Sequence, residues 1–184
     1  SSAAEVLTTA DAVLIAVKPQ NFDELVEQMP ARSFKGLVIS ICAGIGLERL
    51  RANFPNARVV RVMPNTPAIV GEGMSAIAFG PKVMDTDRHF VFSLFQGVGK
   101  TIEVSDDDMD AVTALSGSGP AYFFRFVKNL VESGVAVGLP QETAFALAIQ
   151  TGFGALTLAK ESDVSLDDLI KQVSSPGGTT VAGL

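Results

Sequence analysis

The sequence predicts a mostly parallel α/β sheet domain followed by an all-helical domain. Apolar runs of strand length alternate with helical patterns through the first hundred residues, an order that is typical of parallel sheets. No strand pattern follows Val104, and the whole net charge of −6 falls within residues 105–184. We therefore predict two domains, residues 1–104 and residues 105–184, that meet near Ser105.

The overall composition excludes several classes of protein. With 184 residues, 47% of them hydrophobic and 18% charged, the chain has enough apolar material for a core and is not disordered. Its acidic balance argues against a nucleic-acid partner. A single Cys and a single His allow neither an internal disulfide nor a His-rich metal site, so we expect no metal.

The sequence shows no strong signal for a membrane span or for export. The apolar stretch 144–159 is shorter than a membrane span and contains polar residues, which favours a buried or interface helix. Residues 1–10 lack the basic and apolar regions of a signal peptide, so we expect a cytoplasmic protein without membrane contact. Cys42 follows an apolar run, and we interpret it as a buried, inert thiol.

The sheet domain contains five predicted strands. They cover residues 12–17, 37–42, 58–63, 75–79 and 101–104. The helical patterns between them cover residues 22–29, 47–54 and 86–96. The first two runs are continuously apolar rather than alternating, which predicts strands that are buried on both faces.

Beyond Ser105 only helices are predicted. The carboxylates of Asp106, Asp107 and Asp108 suit a helix N-terminus, and Ser118 is a candidate cap for a long helix with Pro120 in its first turn. The following helices cover 141–160 and 166–173, and another begins at Thr179. The helix 141–160 is rich in Ala and Gly, which indicates either a close helix–helix or subunit contact or a simple tolerance of glycine.

Small or turn-forming residues follow three of the predicted strands. These segments are Val17-Lys18-Pro19, Ala43-Gly44 and Met63-Pro64-Asn65. In a parallel sheet the three carboxyl ends lie along one edge, where open α/β sheets bind ligands. The pattern therefore suits a cofactor, although sharp turns without a ligand are the alternative.

A second signal lies at Ser174-Ser175-Pro176-Gly177-Gly178-Thr179-Thr180. Pro176 and the two glycines end one helix, and the next begins near Thr179. Free backbone N–H groups flanked by hydroxyls favour a carboxylate or a phosphate. A plain helix–helix connector is the alternative.

Four motifs together resemble those of the pyrroline-5-carboxylate reductase family. They are Val-Lys-Pro at 17–19, Arg-Val-Met-Pro-Asn-Thr-Pro at 61–67, Leu-Ser-Gly-Ser-Gly-Pro-Ala-Tyr at 115–122 and Val-Ser-Ser-Pro-Gly-Gly-Thr-Thr at 173–180. The resemblance implies a Rossmann-like sheet domain and a helical dimerisation domain that forms a homodimer or a larger homo-oligomer. It also implies the last step of proline biosynthesis, reduction of 1-pyrroline-5-carboxylate with NADPH or NADH.

The same resemblance implies roles for particular residues. The segments expected to line the cofactor are Val17, Lys18, Pro19, Ala43 and Gly44, with Met63, Pro64 and Asn65 flanking the nicotinamide. The residues expected to bind the substrate are Ser175, Gly177, Gly178, Thr179 and Thr180. Among these, Thr180 is the expected catalytic residue, hydrogen-bonded near the imine nitrogen.

One departure from the family pattern concerns the ends of the sequence. The family begins with a strand, a glycine-rich turn and a helix, which this sequence lacks, so we expect about 50–60 further residues before Ser1 and further helices after Leu184. We accordingly expect the 184-residue polypeptide to be inactive by itself, because the glycine-rich turn holds the cofactor pyrophosphate.

Two other functions remain open at this point. The first is an enzyme of the 6-phosphogluconate-dehydrogenase type acting on another small carboxylate, in which Lys128 on the long helix would be the acid. The second is a non-enzymatic helical dimerisation module.

Overall fold

The computed structural model describes residues 2–184. The contacts between residues group the chain into two compact units, one that ends at Ala121 and one that comprises Tyr122–Leu184. Each unit is described by itself.

The first unit contains the sheet and its surrounding helices. Its strands are β1 (Ala12–Ile15), β2 (Leu37–Ser40), β3 (Arg58–Met63), β4 (Gly73–Phe79) and β5 (Gly99–Glu103). Its helices are α1 (Ala3–Thr9), α2 (Phe22–Glu27), α3 (Leu47–Asn53), α4 (Asp85–Gln96) and α5 (Met109–Val112). Short 3-10 turns cover Pro19–Asn21, Ala31–Ser33 and Thr66–Val70.

The strands form one sheet in the order β1-β2-β3-β4-β5. Strands β1, β2 and β3 are parallel, β4 is antiparallel to β3, and β5 is parallel to β4. A single short 3-10 turn, Thr66–Val70, lies between β3 and β4, which leaves no room for the crossover that a parallel pair requires. The predicted mostly parallel α/β sheet is confirmed.

Helices cover both faces of the sheet. On one face Phe22, Leu50 and Phe54 are fully buried, and on the other Ile77 and Val91 are. Strand β2 is buried at every position, as its continuous apolar pattern predicts.

Strand β1 differs from this prediction. Its central residue Leu14 is 50% exposed, because β1 is the edge strand of the five described strands and has a neighbour on only one side. The apolar run predicts a strand buried on both faces. Within the described residues only one face of β1 is fully covered.

A charged pair lies inside this unit. Arg61, in the middle of β3, is 6% exposed and donates from Nη1 to Oδ1 of Asp106 at 2.9 Å. The other carboxylate oxygen of Asp106 accepts the backbone N–H of Leu47 at 2.9 Å, at the start of α3, where Gly46 has no side chain to act as a cap. Asp106 therefore caps α3, a distant helix, rather than the helix that follows it in sequence.

The long helix begins directly after Ser118, as predicted, but Ser118 does not act as its N-cap. Residues Thr113–Gly117 form a π-helical turn that joins α5 directly to α6 (Gly119–Ala136). Ser118 itself has helical dihedral angles and donates its backbone N–H to the carbonyl of Thr113 at 2.8 Å. An inserted turn of this kind is common near functional sites.

The second unit is helical. After the end of α6 it contains α7 (Gln141–Glu161), α8 (Leu166–Val173) and α9 (Thr179–Gly183). A methyl group at Gly134 would lie 3.1 Å from the side chain of Ala144, so small residues do allow α6 and α7 to approach closely. In the described part of the chain no helix has the length and apolarity that crossing a bilayer requires.

The Asp106 carboxylate gives a testable prediction on stability. We expect Asp106→Ala to lower the free energy of unfolding of the sheet unit by about 3 kcal/mol, because it leaves the buried Arg61 guanidinium with only the longer contact to the exposed Asp110 carboxylate at 3.7 Å and leaves α3 without its cap. Urea unfolding followed by circular dichroism measures the change. The exposed neighbour Asp107 is the control, and Asp107→Ala should change the same quantity by less than about 0.5 kcal/mol.

Candidate functional site

The predicted cofactor residues follow three adjacent strands at one edge of the sheet. Ile15, Ser40 and Arg61 are level with one another across β1, β2 and β3. The segments after these strands therefore begin at the same edge, as predicted. Their roles toward a cofactor stay a prediction.

Two of these segments expose backbone at the edge. Lys18 and Pro19 are exposed, and Val17 is partly buried. Gly44 is also exposed, has a φ of 74° and leaves open space where a side chain would project. A left-handed glycine with nothing above it lets a ligand approach the main chain closely. The exposed Lys18 and the open main chain at Gly44 fit a dinucleotide at this edge.

Cys42 holds two of these segments together. It is 3% exposed, and its thiol lies 3.2 Å from the carbonyl of Val17, to which it donates a weak hydrogen bond. Its backbone N–H donates to the hydroxyl of Ser40 at 3.3 Å. The expected burial of this thiol is confirmed, and its contact is structural: it ties the end of β2 to the turn after β1.

The third segment is fastened to the π-helical turn. Asn65 donates from Nδ2 to the backbone carbonyl of Ser116 at 3.2 Å and to its hydroxyl at 3.4 Å. Its Oδ1 accepts the backbone N–H of Met74 at 2.9 Å. A methyl group at Gly117 would lie 2.4 Å from the terminal carbon of Met63. The π-helical turn therefore packs against the end of β3.

Ser116 and Gly117 belong to the sequence motif at 115–122, to which sequence reasoning gave no role. The glycine and serine pattern of this motif marks it as unusual. Its partner, however, lies about fifty residues earlier in the chain, and no local spacing indicates that contact.

The predicted substrate residues lie in the second unit. Ser175 accepts the backbone N–H of Gly178 at 2.9 Å, with Pro176 second in this turn and Gly177 third at a φ of 71°. This arrangement is typical of a type II turn, in which the third position requires a left-handed residue. A methyl group at Gly178 would lie 2.4 Å from the hydroxyl of Ser175, so each glycine has its own structural reason.

The turn leads directly into α9. Gly178 is the residue before this helix, Thr179 is its first residue, and Thr180 is partly buried. The hydroxyls of Ser175, Thr179 and Thr180 are thus within six residues of one tight turn. The cofactor and substrate groups belong to different compact units.

Lys128, the acid of the alternative enzyme class, is on α6. Its ammonium group binds the carboxylate of Glu132 at 2.6 Å on the exposed surface of the same helix. The hydrogen bond and charge of Lys128 hold the pKa of the Glu132 carboxyl below its usual value. This is the geometry of an ordinary surface pair one helical turn apart.

Comparison with known families defines the class of protein. Residues 1–44 match the model described as NADP oxidoreductase, coenzyme F420-dependent, and residues 106–184 match the model described as pyrroline-5-carboxylate reductase dimerisation. Together with the Rossmann-like sheet, these matches define a nicotinamide-dependent oxidoreductase with a helical dimerisation region.

Individual relatives define the family. The chain is 42% identical over 180 residues to a pyrroline-5-carboxylate reductase of Synechocystis, covering 98% of this chain and 67% of that protein. It is also 42% identical over 185 residues to one of Arabidopsis thaliana, covering 100% and 67%. The chain belongs to the pyrroline-5-carboxylate reductase family, and it spans about two thirds of the length of these relatives.

A solved structure agrees with this assignment. The pyrroline carboxylate reductase of Plasmodium falciparum, crystallised with NADP bound, superposes with a TM-score of 0.93 at 35% identity. The match covers 100% of this chain and 70% of that one. The predicted fold class, with its α/β sheet domain and helical dimerisation domain, is confirmed.

The contact between Gly117 and Met63 gives the second prediction. In the full-length protein we expect Gly117→Ala to displace the Met63 side chain and to lower kcat for cofactor oxidation about ten- to a hundredfold, because a misplacement of about 1 Å can cost about a hundredfold in rate. Gly119→Ala is the matched control, since a methyl group there meets nothing within 4 Å. Equal rates for the two variants would contradict the prediction.

Proposed function

We propose that the protein to which this sequence belongs catalyses the reaction for which its relatives are named, the reduction of 1-pyrroline-5-carboxylate to proline with NADPH or NADH. The observation that carries the proposal is the 42% identity over 98% of the chain to a reductase of this name. The open sheet edge at Gly44 supports it, because it suits the dinucleotide that such a reaction needs.

The proposed cofactor site is the sheet edge. Lys18 supplies a cation there, Val17, Pro19 and Ala43 line the edge, and Gly44 offers its main chain to a phosphate or sugar. Met63, Pro64 and Asn65 flank the nicotinamide. The cofactor supplies the hydride when bound, while the protein orients the two reactants and excludes water.

The proposed substrate site is the turn 175–180. The substrate carboxylate requires oriented donors, which the backbone N–H groups of Gly177 and Thr179 and the Ser175 hydroxyl can provide. Gly178 contributes by closing the turn, because its own N–H donates to the Ser175 carbonyl. Thr180 places its hydroxyl near the ring nitrogen and orients it for reduction. The turn contains no carboxylic acid, so we propose that the imine binds in its protonated form.

The domain organisation is part of the proposal. We place the sheet domain at 1–104 and the helical domain at 105–184. The family model, which begins at residue 106, favours this boundary, whereas contacts group the residues up to Ala121 with the sheet. In this description residues 105–121 belong to the helical domain in sequence and pack on the sheet.

We also propose a homodimer or a larger homo-oligomer formed through the helical domain. The match of residues 106–184 to a dimerisation model supports it. A cytoplasmic location belongs to the same proposal, and the acidic composition argues against nucleic-acid partners.

The overall activity has a direct test. The full-length protein is mixed with 1-pyrroline-5-carboxylate and either NADPH or NADH, and both cofactor oxidation and proline formation are measured. We expect proline to form in a one-to-one ratio with oxidised cofactor. Cofactor oxidation without proline would contradict the proposed substrate.

Thr180 has a more specific prediction. We expect Thr180→Ala to lower kcat/KM for the imine. The loss corresponds to about 1–2 kcal/mol of transition-state stabilisation, the size of one neutral hydrogen bond, and cofactor affinity should be unchanged. Thr157→Ala is the control, because the Thr157 hydroxyl binds the Phe153 carbonyl of its own helix at 2.9 Å. Unchanged kinetics in Thr180→Ala would remove this residue from the site.

A further inference from the structure

Both polar atoms of the Asn65 carboxamide form hydrogen bonds within the protein. Its nitrogen binds both oxygens of Ser116, and its oxygen accepts the N–H of Met74 at 2.9 Å. A side-chain amide whose two polar atoms are both engaged is poorly placed to bind a cofactor as well. Asn65 must therefore contribute to the sheet edge in another way than by binding the cofactor directly.

The position of Asn65 makes these contacts unusual. Asn65 is the residue before the 3-10 turn Thr66–Val70, with an extended backbone. At such a position an asparagine ordinarily caps its own helix by accepting one of the first backbone N–H groups. Asn65 makes no such bond. It binds two segments that are distant in sequence instead, β4 and the π-helical turn.

The consequence concerns the path of the chain after β3. Met63 is the last paired residue of β3, opposite Ala76 of β4, and only Pro64 separates it from Asn65. The two ends of this short segment are therefore both fixed. On the side of the π-helical turn, Gly117 lies against the end of the Met63 side chain, which a methyl group there would displace. The segment is held from the strand, from β4 and from the π-helical turn.

We propose that Asn65 is a positioning residue, which holds the Met63-Pro64 segment against the π-helical turn Thr113–Gly117 so that the nicotinamide ring is kept in one position at the sheet edge. This inference rests on the proposed function, because it takes Met63 and Pro64 as the nicotinamide side of the edge. In this proposal Asn65 acts through its hydrogen bonds to Ser116 and Met74 and not through a bond with the cofactor.

The test compares two matched substitutions in the full-length protein. Asn65→Asp keeps the acceptor for Met74 but places a carboxylate oxygen against the Ser116 carbonyl. Asn56→Asp is the control, because Asn56 also donates from Nδ2 to a distant backbone carbonyl, that of Arg32 at 2.7 Å, and it precedes β3 at the opposite end of the strand. Asn65→Ala, which removes the bonds without adding a charge, replaces Asn65→Asp if that variant does not fold.

The decisive measurement is a single turnover of enzyme-bound reduced cofactor with saturating imine. The first-order rate reports the geometry of the reactants, while the amplitude reports the fraction of folded enzyme. We expect the Asn65 variant to lower the rate about ten- to a hundredfold and to leave the affinity for ADP-ribose, which lacks the nicotinamide, within about twofold. The control variant should keep the wild-type rate.

The outcomes separate this inference from the proposed function. A wild-type rate in a folded Asn65 variant, with or without a smaller amplitude, overturns the positioning role while the reductase activity stands. Loss of ADP-ribose binding also overturns it, because Asn65 would then act outside the nicotinamide segment. A wild-type protein that forms no proline contradicts the proposed function itself.

Discussion

The charge of Arg61, buried within β3, constrains the rest of the sheet unit. A guanidinium group always carries its charge in a protein and must therefore be neutralised where it is buried. Asp106 supplies the neutralising charge at 2.9 Å, and its second oxygen caps α3 at Leu47. One carboxylate thus joins three segments that are far apart in the sequence: the central strand, the start of a helix and the beginning of the chain that leads to the helical region.

This arrangement explains how the candidate cofactor edge is built. Arg61 lies two residues before Met63, and Leu47 lies three residues after Gly44, so the charged pair connects two of the three segments that form the edge. Cys42 connects the remaining one by its contact with Val17. The π-helical turn Thr113–Gly117 begins seven residues after Asp106 and packs against Asn65. The buried pair and the Asn65 contacts are therefore parts of one assembly.

The sequence predicts the local features of this protein well and its non-local contacts poorly. The five strands, the helix Leu166–Val173 and the start of the last helix at Thr179 are found as predicted, because each depends on apolar periodicity or on residues that stop a helix. The run Asp106–Asp108 shows the limit: carboxylates near a helix start are readable from sequence, but Asp106 serves α3 rather than α5. Ser118 is a similar case: α6 begins after it as predicted, but the preceding π-helical turn gives Ser118 helical dihedral angles, so it does not cap the helix. The bonds of Asn65 depend on tertiary structure, which no local pattern contains.

The helical unit has large apolar side chains on its exposed surface. Along α7 only Ala144 and Ala148 are buried, while large apolar side chains such as Phe153 and Leu156 are more than half exposed within the described residues. Full burial of one such side chain contributes about 1.5–3 kcal/mol, and a helix that is apolar on all sides is typically surrounded by protein. The close approach of Gly134 to Ala144 accounts for one end of the small-residue pattern, whereas Gly152 and Gly154 meet nothing within 4 Å. These two glycines gain a structural reason in the proposed homo-oligomer, where a helix of a second copy can approach the backbone of α7 as closely as α6 does.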